Sequence, residues 1–217
     1  MLVFILTFGC ICSYGQTGFS FATDFSVMRN FSPNQEFWAV GQTVQFNFHF
    51  NQKQTVYAWL NYFTPAKFSN DFIANSKSSI TSPSQIPFSA KSQWNIGHIS
   101  LGWKHYVKGG FNTETSYNLY SIAGFGLMIT NVENVFSQAI DTSLYSVPTT
   151  EGRDKFYRLT LDLGAGVEVP VGGSFFMYGD LRTWIPTSDY PSPYLHSNKN
   201  VPLPIILSVG VRILFGN

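Results

Sequence analysis

The chain has 217 residues, 13 Lys+Arg against 12 Asp+Glu, and only 12% charged residues beside 17% aromatics. That is about half the charged share of an ordinary soluble domain, and the near-neutral balance excludes a basic nucleic-acid face, as the aromatics exclude disorder. After the N-terminus no stretch reaches the roughly 18–20 apolar residues of a spanning helix, which leaves the closed β-barrel as the backbone arrangement that satisfies itself in hydrocarbon.

Met1 to Gly9 reads MLVFILTFG, an apolar run of signal-peptide length. Small residues at Ser13 and Gly15 predict cleavage after Gly15, so that residues 1–15 form a signal peptide and 16–217 the barrel domain. Cys10 and Cys12 both fall in the removed segment, so the processed chain has no disulfide, zinc site or cysteine nucleophile.

Period-two alternation then marks eight strands. A first strand covers about 18–31, and a second sets Val40, Val44, Phe46, Phe48 and Phe50 against Thr43, Gln45, Asn47 and His49. Others are predicted at 54–64, 93–107 and 115–130. In the sixth, Leu159, Leu161, Leu163, Ala165, Val167 and Val169 alternate with Arg158, Thr160, Asp162, Gly164, Gly166 and Glu168. The seventh covers 174–186 and the last runs from Leu203 to Phe215. Short turns are placed at Asn51–Lys53, Lys108–Gly110 and Val171–Gly173, and long polar links at 65–92, 131–155 and 187–201. The fold class expected is all-β: an eight-stranded antiparallel up-and-down transmembrane β-barrel with short periplasmic turns and longer extracellular loops.

A soluble lipocalin-like barrel would hide the apolar face, but the polar face here is rich in Gly102, Gly124, Gly126, Gly164, Gly166 and Gly210. Small residues suit the cramped lumen of an eight-stranded barrel. Aromatics gather toward strand ends, with Phe31, Trp38, Tyr62, Trp94, Tyr157 and Trp184 at one and Phe19, Phe50, Phe111, Phe175 and Phe215 at the other, some of them necessarily inward. Two aromatic belts at the membrane interfaces are the expected reading. This orientation puts Asp24, Lys104, Arg158, Asp162, Glu168, Asp180, Arg182 and Arg212 in the lumen as a balanced charge network. With a three-residue turn at Val171–Gly173, Asp162 is predicted directly across from Arg182, hydrogen-bonded to it.

Gly164-x-Gly166-Val167-Glu168, Tyr178-x-Asp180-x-Arg182 and Ser208-Val209-Gly210-Val211-Arg212 closing at Phe215 resemble the small outer-membrane β-barrel families of Gram-negative bacteria, especially those of Bacteroidetes. The resemblance implies the barrel and not an activity, since such families include structural anchors, adhesins, narrow pores and a few lipid-modifying enzymes. His98-Ile99-Ser100 is similar to the His-x-Ser pair of some eight-stranded lipid A deacylases. Yet Leu101 stands where Asn follows in those, Glu114 lies beyond the turn, and parity with Lys104 turns both residues into the lumen.

No metal-ligand cluster, phosphate loop or HExxH occurs, so no cofactor and no enzyme activity are expected. His49, His105 and His196 stand alone, and Tyr190, Tyr194 and His196 in the last long link are candidates for loop recognition. The function expected is an integral outer-membrane protein with a polar, plugged lumen and a structural or surface-binding role through its extracellular loops. A narrow porin-like pore for small solutes is the alternative. Expected partners are outer-membrane lipids and lipopolysaccharide, the barrel-assembly machinery during biogenesis, and no nucleic acid, with a monomer in the membrane.

Overall fold

A computed structural model of the protein describes residues 18–114, 116–187, 192–196 and 203–215. The signal segment and Tyr190 lie outside the described residues. In chain order the strands are β1 (Gly18–Asn30), β2 (Phe37–Asn51), β3 (Gln54–Ser76), β4 (Gln85–Lys108), β5 (Asn118–Phe136), the two-residue β6 (Tyr145–Ser146), β7 (Gly152–Gly172), β8 (Phe175–Pro186) and β9 (Pro204–Phe215). β1 pairs β2 and β9, and antiparallel pairing continues through β8, β7, β5, β4 and β3 back to β2. The ring therefore closes with eight strands, and β6 stands outside it on the edge of β3.

The outward face is the apolar one. Phe25, Phe46, Phe48, Leu101, Phe125, Leu159, Leu181, Leu207 and Val209 are exposed, while the alternate residues of the same strands are buried. Such a surface suits lipid and not water. Phe31, Trp38, Tyr62 and Tyr157 project outward at one rim, and Phe19, Phe50, Phe175 and Phe215 at the other. Trp94, Trp184 and Phe111, read from the sequence with those belts, are buried inside instead.

Glycines on the inner face make room for the large side chains that fill the barrel. A Cβ at Gly102 or Gly124 would run into the Tyr57 hydroxyl, and one at Gly166 into the ring of Tyr120. A chain of ordinary residues there would leave no space for the rings.

Three sequence expectations need correction. The link 65–92 is mostly strand: β3 continues to Ser76 and β4 begins at Gln85, while β5 reaches Phe136 and β7 starts at Gly152. These four strands stand above the aromatic rim as a wall on one side of the barrel. Their polarity is reversed. Lys67, Ser69, Asp71 and Lys91 face outward, whereas Ala74, Phe88, Ala90, Phe136 and Tyr145 form a small core on the inner side. A bulge between Phe63 and Ala66 shifts the phase of β3 where the reversal occurs. Above the bilayer the outer face meets water, so the apolar-out pattern that identifies the lower strands is lost.

The turn placed at Lys108–Gly110 is longer and folds inward. Phe111 is buried against His49, with ring centroids 4.3 Å apart, and its N–H donates to Gln52 O at 3.1 Å. The third correction concerns register. The β7–β8 turn is Gly173-Ser174, with a bulge between Pro170 and Gly172, so Asp162 sits opposite Trp184 and Arg182 opposite Gly164. Both side chains remain on the lumen face, because a slip of two residues preserves parity, but the direct cross-strand pair does not form.

Candidate functional site

Two regions have the features of a site: the lumen, which gathers the ionisable groups, and the wall above it. All eight charged residues assigned to the lumen from the sequence are buried, four acids and four bases. Burying a charge is expensive unless partners replace its water, and the geometry supplies them.

Arg182 is the hub. Its Nη2 donates to Asp24 Oδ2 at 3.1 Å, Thr43 Oγ1 at 3.2 Å and the Ser208 hydroxyl, and its Nε lies 3.1 Å from Asp180 Oδ1. The guanidinium lies over the Trp59 ring, 4.8 Å from its centroid. Asp24 also accepts from Ser26 Oγ at 2.5 Å and from Tyr178 OH at 2.9 Å. Six residues on five strands thus converge on one carboxylate–guanidinium pair, a link that no single strand reveals.

Below it, Arg212 grips Glu168 with two hydrogen bonds, Nε to Oε2 at 2.7 Å and Nη2 to Oε1 at 2.6 Å. This forked geometry is the strongest of the ordinary ion-pair arrangements. The same Nη2 donates to Phe111 O at 2.6 Å, which ties the inward-folded turn to the network. Lys104 places its ammonium 4.2 Å from the Tyr120 ring centroid, and Tyr120 OH donates to Asp180 Oδ2 at 3.2 Å.

Asp162 belongs to a separate group. It accepts from Thr160 Oγ1 at 2.8 Å and lies 3.4 Å from His98 Nε2. His98 Nε2 is 2.9 Å from Thr160 Oγ1, and the imidazole stacks on Trp184 at 4.0 Å. Thr160 donates to the carboxylate, so His98 donates to Thr160. Ser100, the second half of the His-x-Ser pair, points its hydroxyl at Phe125 O, 3.2 Å away, and not at His98. A nucleophile needs a base within reach and a path for its substrate; Ser100 has neither here, and both residues are buried. Arg158 is buried in the same lumen.

Aromatic and aliphatic side chains fill the rest of the lumen in two layers, the lower one interleaved with the charges. The upper layer includes Phe37, Phe63, Trp94, Phe156, Trp184 and Leu195; the lower includes Tyr57, Trp59, Tyr106, Phe111 and Phe176. The sequence suggested a polar plug and required some rim rings to point inward, but not which ones, because a ring at a strand end reads equally well as belt or cap.

The two loop candidates among the described residues, Tyr194 and His196, are tucked in. Tyr194 packs on the upper layer while its carbonyl accepts from Asn134 Nδ2 at 2.8 Å. His196 accepts from Asn34 Nδ2 at 2.8 Å and stacks on Phe72 at 4.9 Å. Partial burial keeps its pKa below the usual 6.5. His49 is likewise held, between Ser20 Oγ at 2.8 Å and Thr55 Oγ1 at 2.6 Å, and His105 bonds Gln54.

The charged residues open to the outside above the rim lie on the wall. Its outer face carries Lys67, Asp71 and Lys91, with Arg153 paired to Glu133 at 2.8 Å and Lys155 lying 5.1 Å from the Tyr157 ring centroid. In the exposed loop before β6, Ser143 donates from both its hydroxyl and its amide to Asp141, which lowers that carboxyl's pKa. Among the described residues no three His, Cys, Asp or Glu side chains are placed to hold a metal, and no helix is long and apolar enough to cross a membrane.

No protein-family model matches the sequence, and no curated protein sequence does. Solved structures do. Neisserial surface protein A superposes with a TM-score of 0.58 at 12% identity, over 91% of this chain and 97% of that one. Ail, the attachment invasion locus protein of Yersinia pestis, in complex with the heparin analogue sucrose octasulfate, gives 0.51 at 10% identity, over 92% and 99%. OprG, an outer-membrane protein of Pseudomonas aeruginosa, gives 0.51 at 11%, over 94% and 99%. The fold this chain shares with them is the small, eight-stranded β-barrel of outer-membrane proteins.

Proposed function

We propose that this chain is an exported, monomeric outer-membrane protein, neither channel nor enzyme, that works by presenting its extracellular wall to other molecules. One observation carries the reading: the lumen is filled by a charge-balanced network packed with two aromatic layers, while a four-stranded wall with its own small core stands above the rim. A selective pore favours a ring of one sign of charge, and the equal signs here speak for a plug.

Lipopolysaccharide is the nearest partner. Lys155 beside Tyr157, and Lys67 with Lys91 farther up, suit its phosphate groups. Residues 1–15 act as the export signal, and the barrel-assembly machinery inserts the strands. The motif around Gly164–Glu168 and the last strand supports a Bacteroidetes-like origin. Purified protein in planar bilayers tests the reading: no single-channel current is expected, and steady conductance would overturn it in favour of a solute pore.

A further inference from the structure

β3 forms one side of the wall. Its pairing with β2 stops at Phe63, opposite Gly41, and its pairing with β6 covers only Asn75 and Ser76. Between these points it has β4 on one side, from Ala66 opposite Trp94 to Asn75 opposite Gln85, and among the described residues no strand on the other. Two hydrogen bonds show which way the backbone faces. Ser76 N donates to Ser84 O across the β3–β4 turn, and Lys77 N donates to Leu144 O on the β6 side. Antiparallel ladders alternate, so Lys67, Ser69, Asp71 and Ile73 direct their N–H and C=O groups away from β4, to the open edge. That edge is about 23 Å long at ~3.3 Å per residue.

An unpaired edge is a template for another strand, and proteins cover or break the ones they do not use. This chain does so at both ends. Below, Pro65 lies in the bulge, and Thr64 Oγ1 bonds both the N–H and the C=O of Val40. Above, β6 takes the place of a neighbour. Among the described residues the interval between them is left open. Asn34 and His196 approach this stretch, but they meet the side chains of Asn70 and Phe72 and not the edge backbone.

We infer that the Lys67–Ile73 edge accepts an extended segment of another protein as an added antiparallel strand, which rests on and deepens the reading of the wall as a binding surface. β6 is the precedent within the molecule, since it already lies antiparallel on the upper end of the same edge. Two copies do not meet β3 to β3 in this way, since in one membrane both strands run in the same direction. Side chains define what the partner strand carries. Lys67 and Asp71 stand on the outer face, and Phe68, Asn70 and Phe72 on the inner. The complementary strand has β-branched residues inside, an acid across from Lys67 and a base across from Asp71.

The test uses the intact barrel in nanodiscs and a fluorescent peptide, Thr-Val-Lys-Val-Thr-Val-Glu, which lies antiparallel with its Lys across from Asp71 and its Glu across from Lys67. Saturable binding is expected. The charge-swapped peptide Thr-Val-Glu-Val-Thr-Val-Lys binds roughly five-fold more weakly, because like charges then face each other. N-methylating the peptide residue across from Ser69 lowers affinity about ten-fold by removing a strand-to-strand hydrogen bond. Ser69→Pro does the same from the protein side, since it deletes an edge N–H and leaves the β4 ladder intact, with heat-dependent gel migration unchanged. If that variant does not fold, the methylated peptide gives the same reading on the native barrel. Absence of saturable binding at millimolar peptide, or equal binding of methylated and unmodified peptides, overturns the edge proposal. Channel current in bilayers would overturn the wall reading while leaving the peptide result as it stands.

Discussion

The barrel and the wall are made from the same strands, yet they are inside out relative to each other. In β4, Leu101 and Ile99 face outward and His98 and Ser100 inward; farther along, Lys91 is outside and Phe88 and Ala90 are inside. β4 itself runs on as one strand with unbroken alternation, paired to β3 over both levels and to β5 from Ala90 onward, while the neighbouring β3 takes up the change in a bulge between Phe63 and Ala66. What changes is the solvent on the outer face, from acyl chains to water. Strand periodicity reports that a sheet has two unlike faces; only the medium says which of them is the core.

Variants that exchange the two environments sharpen this comparison. Arg182→Leu has the largest expected effect. It leaves Asp24 and Asp180 without their shared cation, and breaking a buried pair costs about 3–5 kcal/mol. Urea unfolding in lipid vesicles, followed by Trp fluorescence, measures the loss.

Next comes one substitution made in both regions. Val209→Arg, on an outward position of β9, costs about 2–4 kcal/mol if that position lies near the bilayer centre. Ser89→Arg, on the outer face of the wall opposite Asp71, stays within about 0.5 kcal/mol. Equal costs at the two positions would sink the assignment of lipid to the lower face and water to the upper.

A smaller effect follows from the glycine spaces. Gly166→Ala drives a methyl group into the Tyr120 ring and costs about 1–3 kcal/mol as overpacking. Tyr120→Ala should absorb much of that cost, so the double variant is more stable than the sum of the single losses predicts.

The gentlest perturbation is pH at the docked loop. Burial lowers the pKa of His196 from 6.5, so the folded arrangement holds the neutral ring more readily than the proton. Docking onto Phe72 and Asn34 is therefore complete at neutral pH and weakens as pH falls below about 6.5. NMR titration of the ring should show a midpoint below that of a free imidazole, and Phe72→Ala should move it back up.

How far the sequence could be read depended on where each residue stands relative to the membrane. Alternation in Tyr157–Val169 and Leu203–Phe215 is clean because every second side chain meets lipid, and both strands are found where the pattern puts them. The segment 65–92 reads as a polar link because water relaxes the pattern, and the bulge between Phe63 and Ala66 breaks what phase remains. Parity alone assigns all eight lumen charges to the inside. Their partners are another matter. Asp162 lands beside His98 and Thr160, and Arg182 beside Asp24, two strands away across β9.

By itself, then, the order of residues determined a closed antiparallel barrel, its outward apolar surface and its charged interior, because those depend only on a period of two and the cost of apolar surface in water. Which carboxylate meets which guanidinium, that Phe111 folds up under the lumen, and that β3 keeps a free edge above the rim were decided by the tertiary structure. They depend on turn lengths, bulges and ring closure, where a single inserted residue shifts an entire register while leaving local composition untouched.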